Sequence, residues 1–205
     1  SNKVRKQVLW SRNIKDAVWT EIVTEKIRKQ KELLEYLGKE ESGVLQGYLN
    51  EICWNDETNR EGHAAKVYFN ALFGLAFTRT EDCAINAALN YGYSIILSAF
   101  TREIVAGGYI TQLGLLHDNM FNQFNFASDL MEPFRILVDR EVVGMAVTEF
   151  TQEEKMRLVN VLNQEVVIDG KKQYVNNAIK IYCKSVFDAL NENDSALIRF
   201  YQFEL

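Results

Sequence analysis

Four side chains that can bind a metal ion or move a proton stand out in the sequence. His117 is one of two histidines among 205 residues, and Asp129 and Glu132 follow it, spaced three residues apart. A third carboxylate, Glu61, lies much earlier in the chain. Carboxylate oxygens with one imidazole nitrogen suit Mg²⁺ or Mn²⁺ better than a structural zinc ion. Such an ion can polarise a phosphoryl oxygen and stabilise the charge that develops there.

Spacing alone leaves structural explanations open for each of these residues. Carboxylates three residues apart are common on helices, and a single histidine is more often structural than a ligand. Glu61 is predicted on the packed face of its helix, at the first turn. Alternatively, it lies at the surface, where its negative charge interacts favourably with the positive end of the helix dipole. If Glu61 points inward it needs a partner, because an unpaired buried charge is costly. His63 faces elsewhere and is expected at the surface.

The composition sets the class of protein. Apolar residues make up 47 % of the chain and charged residues 25 %, which is ordinary for a soluble globular protein with a sizeable core. The length favours one domain, with two small ones possible, and no linker or repeat is visible. Three widely spaced cysteines without a CxxC pattern indicate buried thiols in a reducing compartment, so a cytoplasmic location is expected. No signal peptide or membrane span is predicted.

The charge is unevenly distributed along the chain. The net charge is −5, yet residues 1–31 have a balance of +6 and the remainder −11. Lys26, Arg28, Lys29 and Lys31 form a predicted basic rim on the first long helix. This rim is either a phosphate-contacting surface or an ordinary solvated helix face.

The apolar periodicity predicts a mainly α protein: a multi-helix domain around a central buried helix, with one minor β-hairpin. The central helix is 81–103, which is apolar over more than half its circumference. Asp169-Gly170 between two short apolar or alternating runs predicts the hairpin. A short, fraying helix is expected after Asn193. The other helices are predicted at about 11–37, 41–53, 60–75, 126–148, 151–162 and 176–190.

The stretch 117–125 is predicted to be a loop. It has no clear period and carries three asparagines, and side-chain amides held near a buried helix suit a binding site. Pro133 fits poorly inside a helix, so the helix that follows the loop must start late or bend there. Asp129 and Glu132 then share a face near its beginning.

Four stretches of the chain together resemble one protein family. In order and spacing they are similar to the CRISPR adaptation integrase, the first of the two CRISPR-associated proteins that insert new spacers. The loop after His117 looks like that of type II-A members, which accompany a single large RNA-guided effector. The stretches are REGHAA with YF at 60–69, NAALNYGY at 86–93, GLLH at 114–117, and DLMEPFR with VD at 129–139.

The resemblance implies a metal-dependent DNA endonuclease and integrase. A donor 3′-hydroxyl would attack a phosphodiester of the CRISPR repeat, with Mg²⁺ or Mn²⁺ at the site. The implied catalytic residues and metal ligands are Glu61, His117 and Glu132, and Asp129 is a further ligand or an orienting residue. The residues expected to contact DNA are Lys26, Arg28, Lys29, Asn90 and Tyr91.

The resemblance also carries expectations about domains and partners. Residues 1–205 correspond to the family's C-terminal helical catalytic domain, and its N-terminal β-rich dimerisation domain is absent from them. The implied partners are double-stranded DNA (prespacer and CRISPR repeat), a second copy in a full-length homodimer, and the second universal CRISPR-associated adaptation protein. The alternative is a non-catalytic helical DNA-binding or assembly module, inactive as a fragment without its dimerisation domain.

Overall fold

The computed structural model describes residues 1–203, and its contacts divide the chain into two compact units. The first consists of Ser1–Ile22, Ile96–Glu132 and Leu162–Leu205, and the second of Val23–Ile95 and Pro133–Val161. In the described part no helix is both long enough and apolar enough to cross a bilayer. The helices are α1 (Asn2–Leu9), α2 (Arg12–Tyr36), α3 (Ser42–Glu51), α4 (Arg60–Phe73), α5 (Ala84–Ala106), α6 (Asn125–Leu130), α7 (Arg135–Met145), α8 (Gln152–Val159) and α9 (Val175–Glu192).

The prediction of a mainly α protein with one hairpin is confirmed. Strands β1 (Glu165–Ile168) and β2 (Lys171–Tyr174) pair antiparallel, with Ile168 opposite Lys171. Asp169 and Gly170 turn the chain with φ angles of 53° and 73°, the left-handed conformation that such two-residue turns require. The predicted central helix corresponds to α5, which contributes residues to both units.

Aromatic side chains build the core of the first unit. The ring of Trp10 lies 5.4 Å from Tyr109 and 5.7 Å from Phe126, measured between centroids. Its indole Nε1 donates a hydrogen bond of 3.0 Å to Oδ1 of Asn191, so the polar edge is satisfied where the ring is buried. Trp19 is also buried. Both tryptophans therefore belong to the core.

Helix α1 was not predicted from the sequence. Ser1 caps it by accepting a hydrogen bond from the Val4 amide at 3.3 Å. Its buried side chain is polar: the Gln7 amide donates to the carbonyls of Ile110 at 2.8 Å and Leu113 at 3.2 Å. Because a glutamine occupies the inward position, the apolar stripe that normally reveals a helix is missing.

The C-terminal tail differs from its prediction. Within the described residues, up to 203, the short 3₁₀ helix Ser195–Leu197 follows Asn193, and the chain then returns to the hairpin. Val167 and Gln202 exchange two backbone hydrogen bonds, of 3.0 and 2.7 Å. Tyr201 is completely buried beside this bridge. The expected short helix is present as this one 3₁₀ turn, but up to residue 203 the tail is anchored by these contacts and does not fray.

Two helix ends in the second unit shift from their predicted positions. Helix α4 ends at Phe73, since Gly74 takes a φ of 103°. Helix α5 begins at Ala84 and not at residue 81, because the Asn86 amide donates bonds of 2.8 Å to each of the carbonyls of Thr78 and Glu81 and holds a turn there.

The single helix predicted over 126–148 is interrupted. Helix α6 is followed by the 3₁₀ helix Glu132–Phe134, and α7 then begins at Arg135. The interruption coincides with Pro133, where a late start or a bend was expected. Ala146 ends α7 in the left-handed conformation, with a φ of 47°. The acidic residues of this segment therefore lie around a helix break and not along one regular helix.

Candidate metal and DNA site

Asp129 organises the loop that carries His117. Its carboxylate is completely buried and accepts the backbone amides of Leu115 at 2.6 Å, Leu116 at 3.0 Å and His117 at 3.3 Å. The second oxygen, Oδ1, also contacts Nδ1 of the His117 ring. One buried charge thus fixes three consecutive amides and one imidazole, since bonds to an ionised acceptor are stronger than neutral ones.

The contact with Asp129 sets the chemistry of the His117 ring. A carboxylate only accepts hydrogen bonds, so Nδ1 donates, and in the neutral imidazole the lone pair is then on Nε2. The ring also packs edge-on against Trp19, with centroids 6.1 Å apart and planes at 86°. Its side chain is 47 % exposed. An oriented imidazole with an accepting Nε2 is suited to binding a metal ion or taking up a proton.

Gly114 permits the close approach of this loop to Asp129. A Cβ at this position would lie 2.4 Å from the His117 carbonyl oxygen and 2.7 Å from Oδ2 of Asp129. Because neither neighbour is the tip of a flexible side chain, any other residue would displace the loop. The glycine of the GLLH stretch is thereby explained.

Glu132 belongs to the same unit as His117 and Asp129. It begins the 3₁₀ helix after α6, and its side chain is buried, with 4 % exposed. A buried glutamate next to a helix break is a typical element of a polar site, because burial of such a charge requires compensation. The helix was expected to start late or bend at Pro133, with Asp129 and Glu132 on one face. The break places Asp129 in α6 and Glu132 at the start of the 3₁₀ helix.

Glu61 lies in the second unit and has a lysine partner. Nζ of Lys26 lies 2.7 Å from Oε1 of Glu61, and their side chains are 12 % and 23 % exposed. The inward-pointing glutamate was expected to need a partner, and Lys26 is that partner. His63 is exposed, as expected, with its ring 6.1 Å from that of Tyr48.

Asp56 positions the start of α4 and was missed by the sequence analysis. Its buried carboxylate accepts the backbone amides of Arg60 at 2.7 Å and Glu61 at 3.0 Å. The side chain of Asn59 accepts the next amide, from Gly62. Side-chain oxygens that accept the first amides of a helix stabilise its start, and a negative charge there also interacts favourably with the helix dipole. The spacing of Asp56 and Asn59 before the helix was the available signal.

The basic rim on α2 is not the exposed surface that the sequence predicted. Nζ of Lys29 is completely buried, 2.7 Å from Glu25. Arg28 also pairs with Glu25, although its side chain remains 46 % exposed. The expectation that Lys29 lies at the surface is wrong, because a buried glutamate on the same helix draws its ammonium inward. Of the four rim residues, Arg28 has the most exposed side chain.

Asn90 and Tyr91 lie in the second unit beside further cationic groups. Asn90 is exposed and accepts a bond of 2.7 Å from Nη2 of Arg79. The Tyr91 ring lies 5.7 Å from the ring of Phe150, and Nζ of Lys155 is 5.9 Å from its centroid. Sequence reasoning missed Arg79 and Lys155, because neither lies in the stretches that resemble the family.

A buried acid network supports this side of the second unit. Asp139 accepts hydrogen bonds from the hydroxyls of Tyr68, at 2.6 Å, and Tyr93. Burial raises the pKa of Asp139 to about 6, while the two hydroxyl bonds and Arg135 oppose that rise. The guanidinium of Arg135 lies over the Tyr93 ring at 4.7 Å. This network accounts for the VD dipeptide of the fourth stretch as a packing feature.

The donor atoms fit a hard divalent ion by their chemistry. The oxygens of Asp129 and Glu132 and an imidazole nitrogen of His117 are the types that Mn²⁺ and Mg²⁺ accept. Among residues 1–203, no three His, Cys, Asp or Glu side chains are gathered closely enough to form a metal site. The metal ligands therefore stay a prediction.

Several proteins of known structure share this fold. A casposase bound to its integration product superimposes with a TM-score of 0.80, at 19 % identity over 94 % of this chain and 69 % of that one. A partial Cas6-RT-Cas1–Cas2 complex gives 0.80 at 18 % identity, over 98 % and 73 %. At this level of identity the similarity establishes the fold alone.

Sequence comparison establishes the family. The model of the CRISPR associated protein Cas1 family matches residues 2–166. The chain is 36 % identical to the CRISPR-associated endonuclease Cas1 of Neisseria meningitidis over 165 residues, which cover 78 % of the chain and 54 % of that protein. The chain belongs to the Cas1 family and spans about half the length of this relative. The type II-A subtype stays a prediction.

Proposed function

We propose that this chain carries the catalytic residues of a metal-dependent DNA endonuclease and integrase that inserts new spacers into a CRISPR array. The observation that supports this most is the arrangement of Asp129 and His117, in which a buried carboxylate orients an exposed imidazole. Such an arrangement has a clear chemical use in a member of the Cas1 family.

The proposed ligands are Glu61, His117 and Glu132. Asp129 is assigned the orienting role, because its oxygens already serve three backbone amides and the imidazole. A bound Mn²⁺ or Mg²⁺ would polarise the phosphoryl oxygen and stabilise the charge that develops on it. His117 Nε2 and the carboxylates would hold that ion through the donor types it prefers.

The proposed reaction is a strand transfer. The bond that forms joins the 3′-oxygen of the prespacer to a phosphorus of the repeat. The attacking 3′-hydroxyl gives up its proton as this bond forms. The bond that breaks releases a 3′-oxygen of the repeat strand, which takes up a proton, so bonds and protons balance. The same groups would support hydrolysis when water replaces the 3′-hydroxyl, which accounts for an endonuclease activity.

The proposed partners follow from the relatives. Double-stranded DNA would be bound as prespacer and repeat, with Arg28, Asn90 and Tyr91 as contacts on the second unit. The structural relatives include a complex of Cas1 with Cas2 and a casposase on DNA. By analogy, the chain would act as a homodimer with the second adaptation protein.

The alternative of a non-catalytic binding or assembly module is less well supported. That alternative uses the basic rim of α2 as the functional surface, yet Lys29 is buried and Lys26 is paired with Glu61. Asp129 and His117, in contrast, are arranged by specific hydrogen bonds that simple phosphate binding does not need.

A strand-transfer assay with the intact protein tests this proposal. A labelled duplex with 3′-hydroxyl ends and a supercoiled repeat target should give integration products with Mn²⁺ or Mg²⁺ and none with EDTA. Glu61→Gln and Glu132→Gln should lower the rate by roughly 100-fold or more, as expected for lost charge stabilisation at phosphorus. Glu51→Gln, a change at an exposed glutamate paired with Arg60, is the matched control. Unchanged rates in the first two variants would refute the site.

A further inference from the structure

The loop after His117 presents an apolar tip to solvent. Met120 is 87 % exposed and Phe121 is 88 % exposed, only three and four residues beyond the histidine. Phe124, at 40 %, extends the same patch. Two adjacent large apolar side chains with this exposure are unusual, and such patches mark interaction sites.

Asparagine side chains hold the tip in one conformation. Oδ1 of Asn119 accepts the amide of Phe121, and Oδ1 of Asn122 accepts that of Phe124, both at 2.9 Å. The buried amide of Asn125 donates to the Asn119 carbonyl at 2.9 Å and closes the loop from below. The tip is therefore preorganised, and little ordering entropy is lost when it binds.

Cationic groups lie at the base of the same loop. Nη1 of Arg12 donates to the carbonyl of Leu115 at 2.9 Å, while the Arg12 side chain stays 61 % exposed. Lys15 is close enough to Asp118 to interact with it electrostatically. Residues 1–22, which belong to the same unit as the loop, carry five Lys or Arg and two Asp or Glu, a balance of +3. The loop thus combines an apolar tip with positively charged side chains at its foot. This combination favours nucleic acid as the partner, because its phosphates are negative and the faces of its stacked bases are apolar.

We propose that Met120 and Phe121 form a wedge that enters a base step of duplex DNA beside the phosphodiester served by His117. The inference rests on the proposed function and adds a contact with the target DNA. Apolar side chains inserted between base pairs unstack them and bend the duplex, while neighbouring cations bind the phosphates. The wedge would open the backbone of the target strand near the attacking 3′-hydroxyl.

Fluorescence of 2-aminopurine in the target tests the wedge without strand transfer. The base is placed on either side of the attacked phosphodiester, and the intact protein is added in Ca²⁺. Unstacking should raise the fluorescence, and Phe121→Ser and Met120→Ser should abolish the rise. Because a stacked aromatic contact changes affinity by roughly 5- to 150-fold, target binding should weaken by at least about fivefold.

Met156→Ser is the matched control, because Met156 is 66 % exposed and lies on α8 in the second unit. It should leave both the fluorescence rise and the affinity unchanged. Wild-type fluorescence and affinity in the two tip variants would overturn the wedge. Loss of assembly with the second adaptation protein, with DNA unstacking intact, would also overturn it and assign the tip to a protein partner. Unstacking in a protein that fails at Mn²⁺-dependent strand transfer would contradict the proposed function and leave the wedge standing.

Discussion

Replacing Asp129 by alanine should destabilise the first unit strongly. The substitution removes the acceptor of three backbone amides, of which that of Leu115 is bonded at 2.6 Å in a buried position, and the partner of the His117 ring. A buried donor left without a partner costs about 1–3 kcal/mol, and donors nearer the surface recover part of that cost from water. The expected loss is about 3–5 kcal/mol.

The measurement is unfolding by denaturant and by heat. For a chain of this size about 1 kcal/mol shifts the thermal midpoint by 2–4 °C, so Asp129→Ala should lower it by roughly 10 °C. Asp129→Asn keeps one accepting oxygen but turns an NH₂ group toward donors. It should therefore lose about 1–3 kcal/mol.

Asp118→Ala is the control, because Asp118 lies in the same loop but is exposed. It should change stability by less than about 0.5 kcal/mol. If Asp129→Ala were as stable as Asp118→Ala, Asp129 would not hold the loop. The account of how His117 is oriented would then fail.

Three further predictions concern the second unit. Burial raises the pKa of Asp139 from 3.8 to about 6, so between these pH values the folded protein holds a proton that the unfolded chain releases. The free energy of unfolding, relative to that of Asp139→Asn, should therefore rise by about 3 kcal/mol as the pH falls from 7.5 to 3.5. A parallel pH dependence in the two proteins would contradict this. Gly92→Ala would place a Cβ 2.4 Å from a methyl group of α7 and should cost about 1–3 kcal/mol in urea unfolding, whereas a gain would disprove the close packing. Lys26→Met removes the ammonium that a metal ion must displace from Glu61. Mn²⁺ should therefore bind about fivefold tighter in an electron paramagnetic resonance titration, with Lys31→Met as the control. Weaker Mn²⁺ binding in Lys26→Met would contradict the assignment of Glu61 as a ligand that Lys26 competes for.

The sequence predicted those elements whose apolar residues follow a regular period. Helix α4 and the hairpin turn at Asp169-Gly170 are examples, because local pattern alone determines them. Helix α1 escaped prediction because its buried residue, Gln7, is satisfied by carbonyls about a hundred residues away. Lys29 was misplaced for a related reason, since a period assigns every lysine to the surface unless a buried partner such as Glu25 is known.

The residues of the site were predicted better than their roles. Family resemblance singled out His117 and Asp129, but only the three-dimensional structure shows one carboxylate holding three amides and the imidazole. Asp129 contacts residues 12 to 14 positions earlier in the chain, across a loop, and such contacts leave no periodic pattern in the sequence. The partner of Glu61 was anticipated as a requirement, because a partly buried charge needs one. Its identity, Lys26, depended on tertiary packing.

The central claim is that His117 acts in metal-dependent strand transfer. The most direct test compares the rate of His117→Ala with that of His63→Ala in the intact protein, with Mn²⁺ and equal DNA occupancy. His63 is the other histidine of the chain, exposed and close in sequence to Glu61, so it controls for loss of an imidazole. If His117 binds the ion or moves a proton, the rate of strand transfer should fall by roughly 100-fold or more in His117→Ala and by less than about twofold in His63→Ala. Equal rates in the two variants would contradict it.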